Sequence, residues 1–244
     1  MQELRRLVDL RARIDAEVAE AAARNGRDPA CVEVVAVTKT VAPDRILVAM
    51  EAGFRSFGEN RVQERQSKTD GLTAGLAGPP PAPEVTWHLV GPLQSNKARR
   101  AVELFDVIES VDSLDLARRL DRIASEAQPG FRLRVLLQVN VDDDPAKAGF
   151  DPEALARDLP SILVLPSLAV EGLMTVGRLV DSPDAARPTF VALRRLAERL
   201  RAGNPQLGPE LSMGMTDDYP VAIEEGATIV RIGRAIFGDR PHPG

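Results

Sequence analysis

One feature constrains this chain more than any other: short apolar runs of strand character alternate with segments of helical spacing along its 244 residues. The strand-like runs are VEVVAVTK (32–39), FRSFG (54–58), VTWHLVG (85–91), FDVIESV (105–111), RLRVLLQVNV (132–141), LAVEGLMTV (168–176), ELSMG (210–214) and TIVRIG (228–233), eight in all. Helices are expected between them. PDRILVAMEAG opens on Pro43 and closes on Gly53, the usual asymmetry of helix ends. SLDLARRLDRIASEA offers Ser113 as a cap, with Leu114, Ala117, Leu120, Ile123 and Ala124 on one face. DPEALARDLPSIL, DAARPTFVALRRLAERLRAG and TDDYPVAIEEGA follow suit, the last with Thr216 and two aspartates at its start. An extra helix over residues 3–24 precedes the first strand.

Eight β/α units in one chain of this length predict an α/β fold, a single-domain (β/α)8 TIM barrel over 1–244 with an added N-terminal helix. A doubly wound open sheet is the competing architecture, but it usually carries a glycine-rich turn after its first strand, and VTKTVAPD has none. The patch GLTAGLAGPPPAPE (71–84) reads as a long loop before the third strand.

Composition narrows the function. A net charge of −5 argues against general nucleic-acid or membrane-surface binding. Cys31 is the sole cysteine, expected to be buried packing, and the two histidines, His88 and His242, cannot build a histidine-rich metal centre. No apolar run reaches membrane-spanning length, and the charged amphipathic start is unlike a secretory signal. A cytoplasmic protein, with no nucleic acid and no membrane among its partners, is expected.

Active sites of such barrels form where strands end. The polar residues there are Thr38–Lys39, Glu59–Asn60, His88, Asp112, Asn140, Met174–Thr175, Ser212 and Arg231 with Gly233. Lys39 shares strand parity with Val35 and Val37, so it points inward if they do. It is either a strand-end lysine reaching water or an amine of lowered pKa able to form an imine with an aldehyde. Arg231 lies inside an apolar strand and needs a partner, an internal carboxylate or a ligand acceptor. SMGM (212–215) and IGRA (232–235) put Gly214 and Gly233 in adjacent loops, where backbone amides can cradle phosphate. A lysine, an arginine and a phosphate cup together suggest pyridoxal 5′-phosphate (PLP).

The segments AVTKT, FGENRVQE, WHLVGPLQSNK, QVNVDDDPAKAGF, GLMTV and LSMGMTDDYPVAIEEGATIVRIGRAIFG, in that order over residues 32–239, resemble the pyridoxal phosphate homeostasis proteins. The resemblance implies a barrel like the N-terminal domain of alanine racemase, with PLP held as a covalent imine on Lys39. It further implies Arg231 facing the pyridine nitrogen, and Ser212, Gly233 and Arg234 at the phosphate, with Met213 and Gly214 shaping that loop. Asn60 would sit near the cofactor ring, Met174 would pack against it, and His88 would line the pocket. Many members carry Ser or Thr where this chain has Arg234, so its backbone amide can serve the phosphate while its side chain adds charge at the rim.

An arginine on the pyridine nitrogen donates to an unprotonated ring and leaves a weak electron sink. The only tyrosine, Tyr219, opens the last helix and reads as packing or capping, and no second domain is visible to cover the ring. The expected function is a PLP carrier or buffer, without catalysis beyond reversible imine formation, acting in intracellular vitamin B6 and amino-acid homeostasis. A monomer is expected, with PLP and apo PLP-dependent enzymes as partners. A weak PLP enzyme such as an amino-acid racemase is the alternative, and a cofactor-free lysine aldolase a third class. SNKARRAVELF reads as a solvated basic face at a helix start, or as a second phosphate spot involving Lys97, Arg99 and Arg100. NVDDDPAKAGF lacks the spacing of a calcium loop and reads as a polar strand-end loop.

Overall fold

The computed structural model describes residues 1–76, 84–178 and 180–238. Its strands are β1 (Glu33–Val37), β2 (Ser56–Glu59), β3 (Thr86–Leu89), β4 (Val107–Val111), β5 (Leu133–Gln138), β6 (Leu168–Met174), β7 (Glu210–Met215) and β8 (Ile229–Ile232). They pair in sequence order, all parallel, and β8 returns to β1, closing the barrel. The expected (β/α)8 architecture is therefore present, each strand falling within or next to its sequence-predicted run.

The helices are α1 (Gln2–Arg24), α2 (Pro43–Glu51), α3 (Val62–Leu76), α4 (Ala98–Leu104), α5 (Leu114–Ala127), α6 (Pro152–Leu163), α7 (Arg187–Gly203), α8 (Tyr219–Glu224) and α9 (Arg234–Phe237). Local chemistry explains their starts. Pro43 and Pro152 occupy the first helical position, where a missing N–H costs nothing. The Ser113 hydroxyl accepts from Leu116 N at 3.3 Å, and the Asp151 carboxylate accepts from Glu153 N and Ala154 N.

Apolar side chains form two clusters. The larger lies between sheet and helices, and the smaller (Val35, Val107, Leu136, Met174 and Ile229) fills the barrel interior. The amphipathic α1 buries Leu7, Leu10, Ile14, Val18, Ala21 and Ala22, packing against α2 and α8. Tyr219 Oη donates to Glu17 on α1, which fixes that seam and bears out the packing role expected for the tyrosine.

Three expectations need correction. The patch 71–84 is not all loop: α3 runs through it to Leu76, while residues 77–83 lie outside the described residues, as does His242. Cys31 is exposed, in a short 3-10 turn over Pro29–Cys31. The last long helix starts at Tyr219, because Thr216 and Asp217 are bonded to the neighbouring β8–α9 loop instead of capping it.

Candidate functional site

The C-terminal ends of the strands are shaped first by backbone. β1 ends at Val37, and the chain turns over Thr38–Val41, Val41 N donating to Thr38 O at 2.9 Å. Lys39 is thus half-buried on a turn and not on the strand itself. Thr40, the next residue, has φ 64°. A β-branched residue rarely adopts that conformation, at a cost of about 1–3 kcal/mol.

A buried polar cluster holds this turn. Lys68 Nζ reaches up from α3 to donate to Thr38 O at 2.7 Å and to Glu59 Oε1 at 2.6 Å. Thr38 Oγ1 donates to the same carboxylate oxygen at 2.7 Å. Burial raises the Glu59 pKa, and the charge and hydrogen bond of Lys68 oppose that rise. Asn60 follows Glu59 directly and is half-buried. A Cβ on Gly91 would fall 2.2 Å from Asn60 O, so the β3–α4 loop can cross here only as glycine.

A second polar chain runs through the barrel interior. Arg231 on β8 is 4% exposed. Its Nη2 donates to Thr175 O at 2.7 Å and its Nη1 to Ser212 Oγ at 2.5 Å. Ser212 Oγ donates in turn to Glu109 Oε2 at 2.5 Å, and that oxygen lies 3.9 Å from Arg231 Nη1. The other Glu109 oxygen meets His88 Nδ1 at 2.7 Å, and His88 Nε2 lies 3.4 Å from Glu33, which accepts from Ser56. Burial disfavours a charged His88, but bonds and charge from Glu109 and Glu33 outweigh it and raise its pKa to about 9. Glu33, also opposed by burial, is held at about 2 by His88, Ser56 and the Arg134 charge. The interior therefore alternates in sign: Arg231 positive, Glu109 negative, His88 positive, Glu33 negative. Its last member forms part of the wall of a cleft of about 420 Å³ at the opposite end of the barrel, beside Arg11, Asp15 and Arg55.

The structure brings Lys39, Asn60, Gly214, Gly233 and Arg234 to the strand ends, above Arg231. Gly214 has φ 89°, and a Cβ there would lie 2.5 Å from Ala222 Cβ, so α8 can close on this loop only over glycine. Gly233 packs against Val37, and its N donates to Thr216 Oγ1 at 3.3 Å, tying the two loops together. Arg234 is exposed, with Nη2 donating to both oxygens of Asp217, which matches the rim position expected for it.

Four expected site residues lie below the strand-end loops. The Ser212 hydroxyl donates to Glu109 and accepts from Arg231, bridging the two. Met213 points the other way, into the core beneath the helices. Met174 belongs to the interior apolar cluster, and His88 is fully enclosed, reaching the mouth only through Glu109 and Ser212. Arg99 pairs with Glu126 and Arg100 with Glu103, which fits the solvated face. The loop after β5 closes on itself, Asn140 bonding both ways with the Asp144 backbone.

Sequence reasoning missed Glu109, Glu33, Lys68 and Thr40, and placed Glu59 at a strand end without assigning it a role. Two carried a signal: Glu109 shares parity with the interior Val107, and Glu33 with Val35, so carboxylates at inward positions were available to pair Arg231 and His88.

The site thus sits on a closed parallel barrel, with a lysine turn after the first strand and a carboxylate-backed arginine on the last. The family profile described as "Alanine racemase, N-terminal domain" matches residues 11–241. A pyridoxal phosphate homeostasis protein of Synechocystis is 43% identical, over 87% of this chain and 93% of that protein. Another, of Pseudomonas aeruginosa, is 41% identical over 95% and 94%. The chain belongs to the pyridoxal phosphate homeostasis protein family. Among solved structures, PipY of Synechococcus elongatus with PLP bound is 44% identical, with a TM-score of 0.78 over 91% of this chain and all of that one. An alanine racemase of Clostridium difficile shares the fold at 12% identity and a TM-score of 0.70, this chain matching 58% of its length.

Proposed function

We propose that this protein binds PLP covalently at Lys39 and carries or buffers it, serving intracellular PLP and amino-acid homeostasis. The observation that carries the reading is the placement of Lys39, on a strained turn at the C-terminal end of β1, in a barrel whose adjacent strand β8 carries the buried Arg231. The residues fit the group. PLP supplies an aldehyde, with which a lysine amine condenses to an imine as the carbonyl oxygen leaves as water. Lys39 provides the amine. Arg231 provides a permanent donor for an unprotonated ring nitrogen. Asn60 would border the ring, and the linked loops at Gly214 and Gly233 would offer backbone amides to the phosphate, with Arg234 at the rim. The relatives named for this role, and a 44% identical relative solved with PLP bound, support it.

Carriage is favoured over turnover. Racemisation needs two bases flanking the substrate carbon, and Tyr219 Oη is spent on Glu17, on the α1 side of the barrel. The whole chain then acts as one PLP-binding domain, monomeric and cytoplasmic, with apo PLP-dependent enzymes as recipients. Among the described residues no helix is long and apolar enough to cross a membrane.

The test is the visible spectrum of purified protein with added PLP, before and after borohydride, with the adduct mapped by peptide mass. A reducible band with the adduct on Lys39, and no release of racemised or cleaved amino acids, supports a carrier. A protein that stays colourless with PLP refutes the reading, and turnover of free amino acids replaces it with the racemase.

A further inference from the structure

We propose that Glu59 and Lys68 form a clamp on the Thr38–Val41 turn and thereby set how Lys39 is presented at the barrel mouth. The proposal rests on Lys39 as the aldehyde-binding residue, and it assigns positioning roles to two side chains that touch no ligand.

Every polar group of Thr38 is tied. Its N–H donates to Gly58 O at 2.8 Å, its hydroxyl to Glu59, and its carbonyl accepts from both Val41 N and Lys68 Nζ. The residue two positions on, Thr40, is exposed yet sits at φ 64°. Such a torsion persists only where the surroundings over-determine it. The clamp is itself costly. Glu59 is 0% and Lys68 7% exposed, and one Glu59 oxygen has no hydrogen-bond partner. A buried ion pair of this kind is weak evidence for stability, because apolar residues of similar volume often serve as well. An apolar pair could not donate into the Thr38 carbonyl. That donation joins α3 to the turn bearing Lys39, and it accounts for a charged pair where packing alone would not ask for one.

The test uses the full chain. Lys68→Met alone would strand a buried carboxylate, so it is combined with Glu59→Gln. Two quantities are read: hydrogen exchange at Val41 N–H without PLP, and the rate of borohydride-trappable adduct formation at Lys39 with PLP. The expected result for Glu59→Gln/Lys68→Met is a near-normal melting temperature, Val41 exchange faster by about tenfold, and adduct formation slower by a similar factor. Adding Thr40→Gly, which adopts the torsion without strain, recovers most of the adduct rate; a merely structural pair predicts no such rescue. Wild-type exchange and adduct rates in the folded double variant overturn the proposal, as does failure of Thr40→Gly to rescue. Should the double variant not fold, Thr38→Val decides: it cuts the hydroxyl link and is expected to speed Val41 exchange about threefold, and unchanged exchange overturns the clamp. If wild-type protein takes up no PLP, the carrier reading fails while the exchange result still judges the clamp.

Discussion

Lys39 occupies a position with little conformational choice, between a fully bonded Thr38 and a left-handed Thr40. Lys39→Ala is expected to abolish the reducible PLP band while shifting the melting temperature by only a few degrees, since the side chain is half-buried; spectroscopy and a thermal melt check both. His88 supports a prediction of a different kind. Burial opposes its charge, Glu109 and Glu33 overcome that opposition, and its pKa rises to about 9. A raised pKa means that the folded state holds the proton more tightly. The stabilisation is therefore complete below the ordinary histidine range near 6.5 and is lost as pH rises through about 9. Urea titrations at pH 8, 9 and 10 should show stability falling over that window, with the fall reduced in His88→Gln; a flat wild-type profile would contradict the ion-paired imidazolium. Lys39 and Arg231 were legible in the sequence because a charge closing or interrupting an apolar strand stands out. The bridge through Ser212 was not legible, because its partner Glu109 lies 103 residues away on another strand.

At the level of elements, the eight strands were readable because parallel barrel strands are covered on both faces and so appear as continuous apolar runs. Their ends were less so. β1 stops two residues short of Lys39 because the turn takes over, and α8 starts only at Tyr219 because Thr216 and Asp217 bond to Gly233 and Arg234 while Asp218 stands at the cap position. Lys68 left no trace, because α3 has almost no amphipathic pattern to mark its inward side. The β7–α8 junction gives the element-scale prediction. Gly214→Ala forces a Cβ to 2.5 Å from Ala222 Cβ at a φ of 89°. It should cost about 2–4 kcal/mol in urea unfolding and weaken PLP retention, because the loop cannot keep both its torsion and its distance from α8. A variant as stable as wild type would show that α8 yields easily.

Over the whole molecule, α1 is the element that a bare eightfold repeat does not need, and its burial predicts that it is integral. Ile14→Ala should destabilise the entire barrel by about 2–4 kcal/mol in a single cooperative transition; an early separate transition would mean that α1 docks independently. The alternating charges of the interior have a consequence for how such a sequence can change over time. Arg231, Glu109 and His88 share one enclosed space and Glu33 closes the row at the cleft wall, so exchanging one of the enclosed members for a neutral residue leaves an odd charge with nowhere to go. Arg231 and Glu109, or His88 and Glu33, are replaceable together far more readily than apart. The interior is thus an epistatic unit, and a randomised library selected for folding should return its substitutions there in charge-balanced couples.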